Sequence, residues 1–145
     1  MLFFTGFSRF SSDIQKTTQK DMADKERQLL EMLSLVDEAE KVLTTKTDLN
    51  EFGRLLDYTW KLKRGISSGI STDSIDGLYA KGIEAGALGG KLLGAGGGGF
   101  LLFYVEEDKR EAVAKAMEDL LYVPFQFENS GTRVIHYTAE MYEKR

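Results

Sequence analysis

Apolar positions recur in two rhythms along this chain, and the change of rhythm divides it. Leu2 to Phe7 is a short run of β-favouring residues closed by polar ones, and it reads as a strand that starts at once. Ser11 or Ser12 is placed to cap a short helix through Lys20. From Asp24 onward, Leu29, Met32, Leu33, Val36, Ala39 and Leu43 return at helical spacing among Glu, Lys and Arg. That pattern predicts one long amphipathic helix ending near Thr44 and Thr45. Asp48 followed by Glu51 has the spacing of a capping box and opens a second helix, with Leu49, Phe52, Leu55, Leu56, Thr59 and Leu62 on its face. Gly65 ends it, and the loop Ile66 to Ser71 follows. Thr72 and Asp73 start a third long helix with Ile75, Leu78, Tyr79 and Ile83 on one side.

The rhythm then shortens. Phe100 to Val105 is apolar at every position, which predicts a strand buried on both faces. Asp108 and Glu111 repeat the capping-box spacing ahead of a helix carrying Val113, Ala116, Met117 and Leu120. Val123, Phe125 and Phe127 alternate with polar residues, Asn129 to Gly131 makes a turn, and Arg133 to Thr138 reads as a returning strand. The helices are not one-to-one with the strands. The expected class is therefore α+β, a mostly antiparallel, ferredoxin-like sheet covered by helices, in a single domain spanning 1–145.

Composition narrows the function classes. In 145 residues, 42% hydrophobic and 29% charged is the mix of one folded domain. A net charge of -4 argues against nucleic acid and anionic membranes, which both call for a clustered basic surface. Cysteine is absent and His136 is the only histidine, so thiolate chemistry is excluded and a zinc site has too few ligands. No apolar run approaches the roughly 20 residues of a membrane-spanning helix. The N-terminus lacks the basic region of a signal peptide, so the cytoplasm is the expected compartment. A strand with no lead before it suggests that the chain begins inside something larger.

The chemistry-bearing segment is glycine-rich. Nine of the fifteen glycines fall between Gly82 and Gly99, and Lys91 is the only charge between Glu84 and Glu106. Gly94, Ala95, Gly96, Gly97, Gly98 and Gly99 form a run that ordinary helix or strand would not choose, because glycine loses the most entropy on ordering. Three readings compete: a flexible linker, a loop packed against another backbone, and a cradle of amides for phosphate with Lys91 adding a charge. The letters of a dinucleotide fingerprint are present, but a helix is expected before the loop and a strand after it, the reverse of that motif's context. A P-loop needs Ser or Thr after Gly-Lys, and Leu92 stands there.

Lys91 to Phe103 resembles the third signature motif of the GHMP kinases, which lies in their C-terminal domain. Thr5-Gly6-Phe7-Ser8-Arg9, Trp60 to Arg64, Ile70-Ser71, Ile75-Asp76 and Gly86 to Gly90 look most like the D-glycero-D-manno-heptose 7-phosphate kinases within that superfamily. The resemblance implies an ATP- and Mg2+-dependent sugar-phosphate kinase acting on an anomeric hydroxyl. The superfamily's ATP-phosphate loop, catalytic Asp and magnesium ligand have no counterpart in this sequence. The resemblance therefore implies the C-terminal half of such an enzyme, partnered by an N-terminal ATP-loop domain that supplies them. It places Lys91 and Gly94 to Gly99 at the phosphate, and Ser8, Arg9, Lys63, Ser67, Ser68 and Asp76 at the substrate. Without its other half, the domain is expected to expose apolar surface near Leu2 to Phe7 and the glycine loop, and to self-associate.

Bland readings stand beside these. Lys63 and Arg64 end a helix, where the dipole favours cations anyway, and Asp76 sits in a first helical turn. Ser67, Ser68 and Ser71 suit turns as well as ligands. Trp60 and Tyr79 read as core, and His136 as structural. The competing function is a non-catalytic, ferredoxin-like binding or regulatory module whose glycine loop is an effector pocket.

Overall fold

The apolar opening does become a strand, β1 (Leu2–Phe4), in a computed structural model that describes residues 1–7 and 25–137. Three helices follow: α1 (Glu26–Thr44), α2 (Asn50–Arg64) and α3 (Asp73–Glu84). Then come β2 (Gly89–Leu92), β3 (Phe100–Tyr104), a 3-10 turn (Glu107–Lys109), α4 (Arg110–Ala116) and β4 (Leu121–Tyr122). The sheet order is β2-β3-β1-β4, with every neighbouring pair antiparallel. This is the split βαβ arrangement, α+β as expected, with helices packed on the sheet. The short helix expected from Ser11 or Ser12 to Lys20 lies outside the described residues.

The core forms where the helices meet the sheet. Phe3, Trp60, Ile75, Leu92, Leu101, Phe103, Val113 and Met117 are each almost wholly buried. Tyr79 stacks on Phe103 with ring centres 5.7 Å apart and tilts against Trp60 at 6.1 Å, so both expected core aromatics are core. Thr72 caps α3, its hydroxyl accepting from the Ile75 N–H at 3.3 Å.

Several expectations need correction. β2 was not foreseen, because paired glycines weaken a strand in isolation. Here they are required. A Cβ on Gly89 would stand 1.8 Å from the carbonyl oxygen of Gly53, so α2 lies against the strand backbone itself. β3 is fully buried only at Leu101 and Phe103, and Phe100 is exposed, so the strand alternates rather than being covered on both faces. The capping boxes do not close. Asp48 accepts from the Asn50 N–H at 3.0 Å while Glu51 pairs with Arg54, and Asp108 falls in the 3-10 turn.

On α1, Leu35 and Val42 are buried and Leu29 and Met32 pack partly on the core, but Leu33, Val36 and Leu43 point to solvent. The apolar arc of this helix is wider than its contact with α2. The two late strands are absent from the described residues. β4 occupies Leu121–Tyr122, upstream of the expected start, and 123–137 has no regular structure. The Val123 N–H donates to Leu2, and beyond it the segment makes no backbone hydrogen bond to any described strand, so the extended chain is not held in a ladder. His136 is thus exposed on irregular chain rather than placed on a strand. The turn does form. Glu128 accepts from the N–H groups of Asn129 and Ser130 and from the Ser130 hydroxyl, and Gly131 takes φ +63°. Those three donors hold the Glu128 carboxyl below its ordinary pKa, the Ser130 hydroxyl contributing most.

Candidate functional site

The glycine run joins β2 to β3. It is the tip of a hairpin, entered by a strand and not by the helix that the sequence suggested, and Lys91 belongs to β2, opposite Leu102. The Leu93 N–H donates to Phe100 at 2.8 Å and closes the hairpin. Gly94, Gly96, Gly97 and Gly99 take φ of +84°, +114°, +72° and +102°, a region closed to most side chains.

Part of this loop is bolted to the fold. The Gly97 N–H donates to the Ile70 carbonyl and the Gly99 N–H to the Phe7 carbonyl, both at 2.9 Å. The Gly99 carbonyl accepts from the Thr5 N–H and hydroxyl at 2.8 and 2.9 Å. A Cβ on Gly96 would come within 2.7 Å of the Ile70 backbone, and one on Gly98 within 2.4 Å of the Phe7 carbonyl oxygen. The reading as a loop packed against other backbone is therefore right for Gly96 to Gly99. It is not the whole account. The N–H groups of Gly94, Ala95, Gly96 and Gly98 make no hydrogen bond to a described residue. Successive uncommitted amides form a concavity suited to an anion.

Two lysines flank the loop. Lys63, in the last turn of α2, donates to the Gly94 carbonyl at 2.6 Å. Its pKa lies below the ordinary lysine value, first because the ammonium is partly buried and then because the Lys91 charge is near. Neither lysine is paired with a carboxylate among the described residues. Two cations drawn together without an anion make a region that attracts one.

The serine loop also lines an open cleft of about 340 Å3, formed by Lys61, Arg64, Gly65, Ser67, Ser68, Ser71 and Asp76. Its charges are internally matched. Arg64 binds Asp76 Oδ1 at 2.8 Å, and the Ser71 hydroxyl donates to the same oxygen at 2.6 Å. Lys61 is held by Asp57 Oδ2 at 2.6 Å, while Asp57 Oδ1 accepts from the Tyr79 hydroxyl at 2.8 Å. Burial, and then that bond, push the Tyr79 phenol well above its ordinary value. Ser67 is only 5% exposed, and its hydroxyl has no partner among the described residues.

The expected site residues thus fall into two groups. Lys63, Lys91 and the glycines form one. Ser67, Ser68 and Asp76 form the other, joined to the first through Ile70. Ser8 and Arg9 lie outside the described residues. Arg64 and Lys61 complete the cleft and were not assigned to the site from sequence, whereas Ser71, weighed there between turn and ligand, does line it. Arg64 was explained by the helix dipole, and only its approach to Asp76 across the loop distinguishes it. Among the described residues no three His, Cys, Asp or Glu side chains gather to hold a metal ion, so no magnesium ligand is assigned here. No described helix is long and apolar enough to cross a membrane.

The family described as "GHMP kinases C terminal" matches residues 35–123. D-glycero-alpha-D-manno-heptose 7-phosphate kinase of Campylobacter jejuni subsp. jejuni is 31% identical over 92% of this chain and 40% of its own length. Mevalonate kinase of Pyrococcus abyssi is 35% identical over 60% of this chain and 26% of its own. The crystal structure of L. major mevalonate kinase in complex with R-mevalonate superposes with a TM-score of 0.68 at 24% identity, over 81% of this chain and 37% of that one, a likeness of fold. The chain spans well under half the length of each.

Proposed function

The chain belongs to the GHMP kinases as their C-terminal domain, and from that premise we propose that it supplies the glycine lid and acceptor side of an ATP-dependent sugar-phosphate kinase. The domain extends over 1–145 and works with an N-terminal ATP-loop domain in the cytoplasm. The acceptor is a heptose 7-phosphate, phosphorylated at its anomeric hydroxyl. What supports that choice is the heptose kinase relative, which is similar over 92% of the chain.

The observation that carries the reading is the glycine loop, whose Gly94, Ala95, Gly96 and Gly98 amides bond to no described residue, beside Lys63 and Lys91. When bound, ATP with Mg2+ supplies the transferred phosphoryl group. The residues here fit its phosphate oxygens but not the metal. Phosphoryl transfer depends chiefly on positioning and on neutralising charge. Lys63 and Lys91 draw phosphate oxygens to the loop. The amides of Gly94, Ala95, Gly96 and Gly98 fix their direction. The hairpin, held through Ile70 and Phe7, keeps those donors in place without reorganisation. A catalytic base, magnesium ligands and the ATP loop are contributed by the other domain.

The test is a turnover assay with ATP and Mg2+, using this chain alone and then joined to the N-terminal domain of a heptose 7-phosphate kinase. The chain alone is expected to be inactive and the joined protein active on heptose 7-phosphate, with Lys91→Ala weakening phosphate-bearing ligands. Turnover by the 145-residue chain alone, or preference for mevalonate over heptose 7-phosphate, would overturn the reading.

A further inference from the structure

We propose that residues 121–137 are a docking arm for the N-terminal domain, a β-hairpin that zips up when its apolar face is covered. The inference rests on the reading above that such a domain is joined to this one, and it names the surface that receives it.

The register of the hairpin is already set. The Val123 N–H donates to the Leu2 carbonyl, so the first limb continues the edge strand β4. With Phe3 opposite Tyr122, the antiparallel register leaves no residue of β1 to face Phe125 or Phe127. Asn129, Ser130 and Gly131 make the turn, fixed by Glu128 and with Gly131 at φ +63°. A three-residue loop ending on a left-handed glycine is a common hairpin connection. It sets Glu128 opposite Thr132, and hence Phe127 opposite Arg133, Phe125 opposite Ile135 and Val123 opposite Tyr137. Side chains alternate along a strand, so these last three pairs share one face. All but Arg133 are apolar. The Phe125 and Phe127 rings already meet edge-on at 5.7 Å, on one side of the chain.

That face is uncovered. Phe127 is 93% and Ile135 88% exposed, and Phe125 and Tyr137 are exposed as well. A two-stranded hairpin is marginal in water by itself, which is why the limbs are not paired here. Adjacent apolar side chains left open in this way mark a place for a partner. The arm's Glu128 and Arg133 lie 3.8 Å from each other, so the partner it fits is apolar rather than ionic.

Two observations choose the occupant. The family model stops at Val123, but a heptose kinase match over 92% of 145 residues leaves about a dozen outside it, too few for that match to stop there. The arm is therefore shared with an enzyme of which this chain spans 40%. In addition, the arm leaves the sheet beside Leu2, at the end of β1 through which an N-terminal domain is joined. Covalent joining holds two surfaces at an effective concentration on the order of millimolar. A second copy of the chain has to reach that concentration in solution, so the joined domain is the favoured occupant.

The experiment follows hydrogen exchange in the 145-residue chain alone and in the chain joined to the N-terminal domain of a heptose 7-phosphate kinase. The amides of Phe125, Phe127, Ile135 and Tyr137 are expected to exchange freely in the first and on the order of tenfold or more slower in the second. Phe127→Glu with Ile135→Glu puts two like charges on the exposed face. The Tm of the chain alone is expected to hold, while the joined protein loses the protection and melts earlier. An arm that exchanges equally fast in both proteins, or a double variant that lowers both melting temperatures alike, would overturn the docking arm. Protection in the chain alone that grows with its concentration would overturn the choice of occupant and assign the face to a second copy. Turnover is read in parallel. Activity on heptose 7-phosphate with an unprotected arm sinks the arm alone. A protected arm with a preference for mevalonate supports the arm and sinks the substrate reading alone.

Discussion

The Gly97 N–H donates to the Ile70 carbonyl at 2.9 Å, so the glycine loop and the serine loop are one mechanical unit. Gly96 beside it is pressed on the same Ile70 backbone, whereas a Cβ on Gly94 would meet nothing within 4 Å. Both have positive φ. The pair separates strain from collision. Gly94→Ala is expected to cost about 1 kcal/mol, roughly 2–8 °C in Tm at this domain size. Gly96→Ala adds a clash with backbone that cannot rotate away, and roughly 2–4 kcal/mol is expected. Thermal melts check the difference. Hydrogen exchange is expected to rise at Ser67 to Ser71 in Gly96→Ala only. Equal losses in the two variants would show that the loops are not coupled.

The Tyr79 hydroxyl ties α3 to Asp57 on α2, and its phenol titrates above the ordinary 10.0 because of burial and then that bond. A group whose folded pKa is raised contributes stability that is complete below its unfolded value and lost as pH climbs through the folded one. The chain is therefore expected to lose stability above pH 10.0, and Tyr79→Phe to flatten that loss while costing roughly 1–2 kcal/mol at neutral pH. Denaturant titrations at several alkaline pH values check this. An unchanged alkaline slope in the variant would assign the loss to another group.

What could be read from the sequence was whatever is encoded within one element. The face of α3, the Thr72 cap, and Trp60 and Tyr79 as core follow from local spacing, whereas on α2 the expected face is only half-buried, Leu49 is exposed and burial is deepest at Gly53 and Trp60. What could not be read depends on a partner brought from elsewhere. β2 is a strand because Gly53 approaches Gly89, two positions with no side chain to signal it. Phe125 and Phe127 have strand alternation but pair with no strand among the described residues. In the site, the glycine run announced itself. Arg64 became visible only when it was found, together with Ser71, on the Asp76 carboxylate.

Exposed apolar residues fall mainly away from the expected place. Near the glycine loop, Phe7 and Phe100 are the open ones among the described residues, at 43% and 37%, whereas Leu30, Leu33, Val36 and Leu43 on α1 are 57–64% exposed. Surface of this kind usually finds a partner. The isolated chain is expected to self-associate with rising concentration, and Leu33→Glu with Val36→Lys to suppress this without lowering Tm. Sedimentation equilibrium checks it. Association that persists in the double variant would move the contact to Phe125, Phe127 and their neighbours.

The last prediction concerns Lys63, where stability and binding pull apart. Partial burial, and then the Lys91 charge, lower its pKa below the ordinary 10.5. For a lysine so depressed, the unfolded chain holds the proton more tightly than the folded one. Stability contributed by this group therefore rises with pH through the window just below 10.5, opposite in sign to the Tyr79 effect and lower on the scale. Binding runs the other way. A phosphate seated on the Gly94 to Gly98 amides favours the charged ammonium, so its affinity is expected to fall as pH rises through the lowered pKa, earlier than an exposed lysine would dictate. Lys63→Met is expected to remove both trends and to weaken inorganic phosphate roughly tenfold, as for one lost charge-assisted contact. Phosphate titrations by NMR across the alkaline range, with and without the substitution, check it. Affinity that stays level beyond pH 10.5 in the unsubstituted chain would take Lys63 out of the phosphate site and leave Lys91 and the backbone amides to hold the anion.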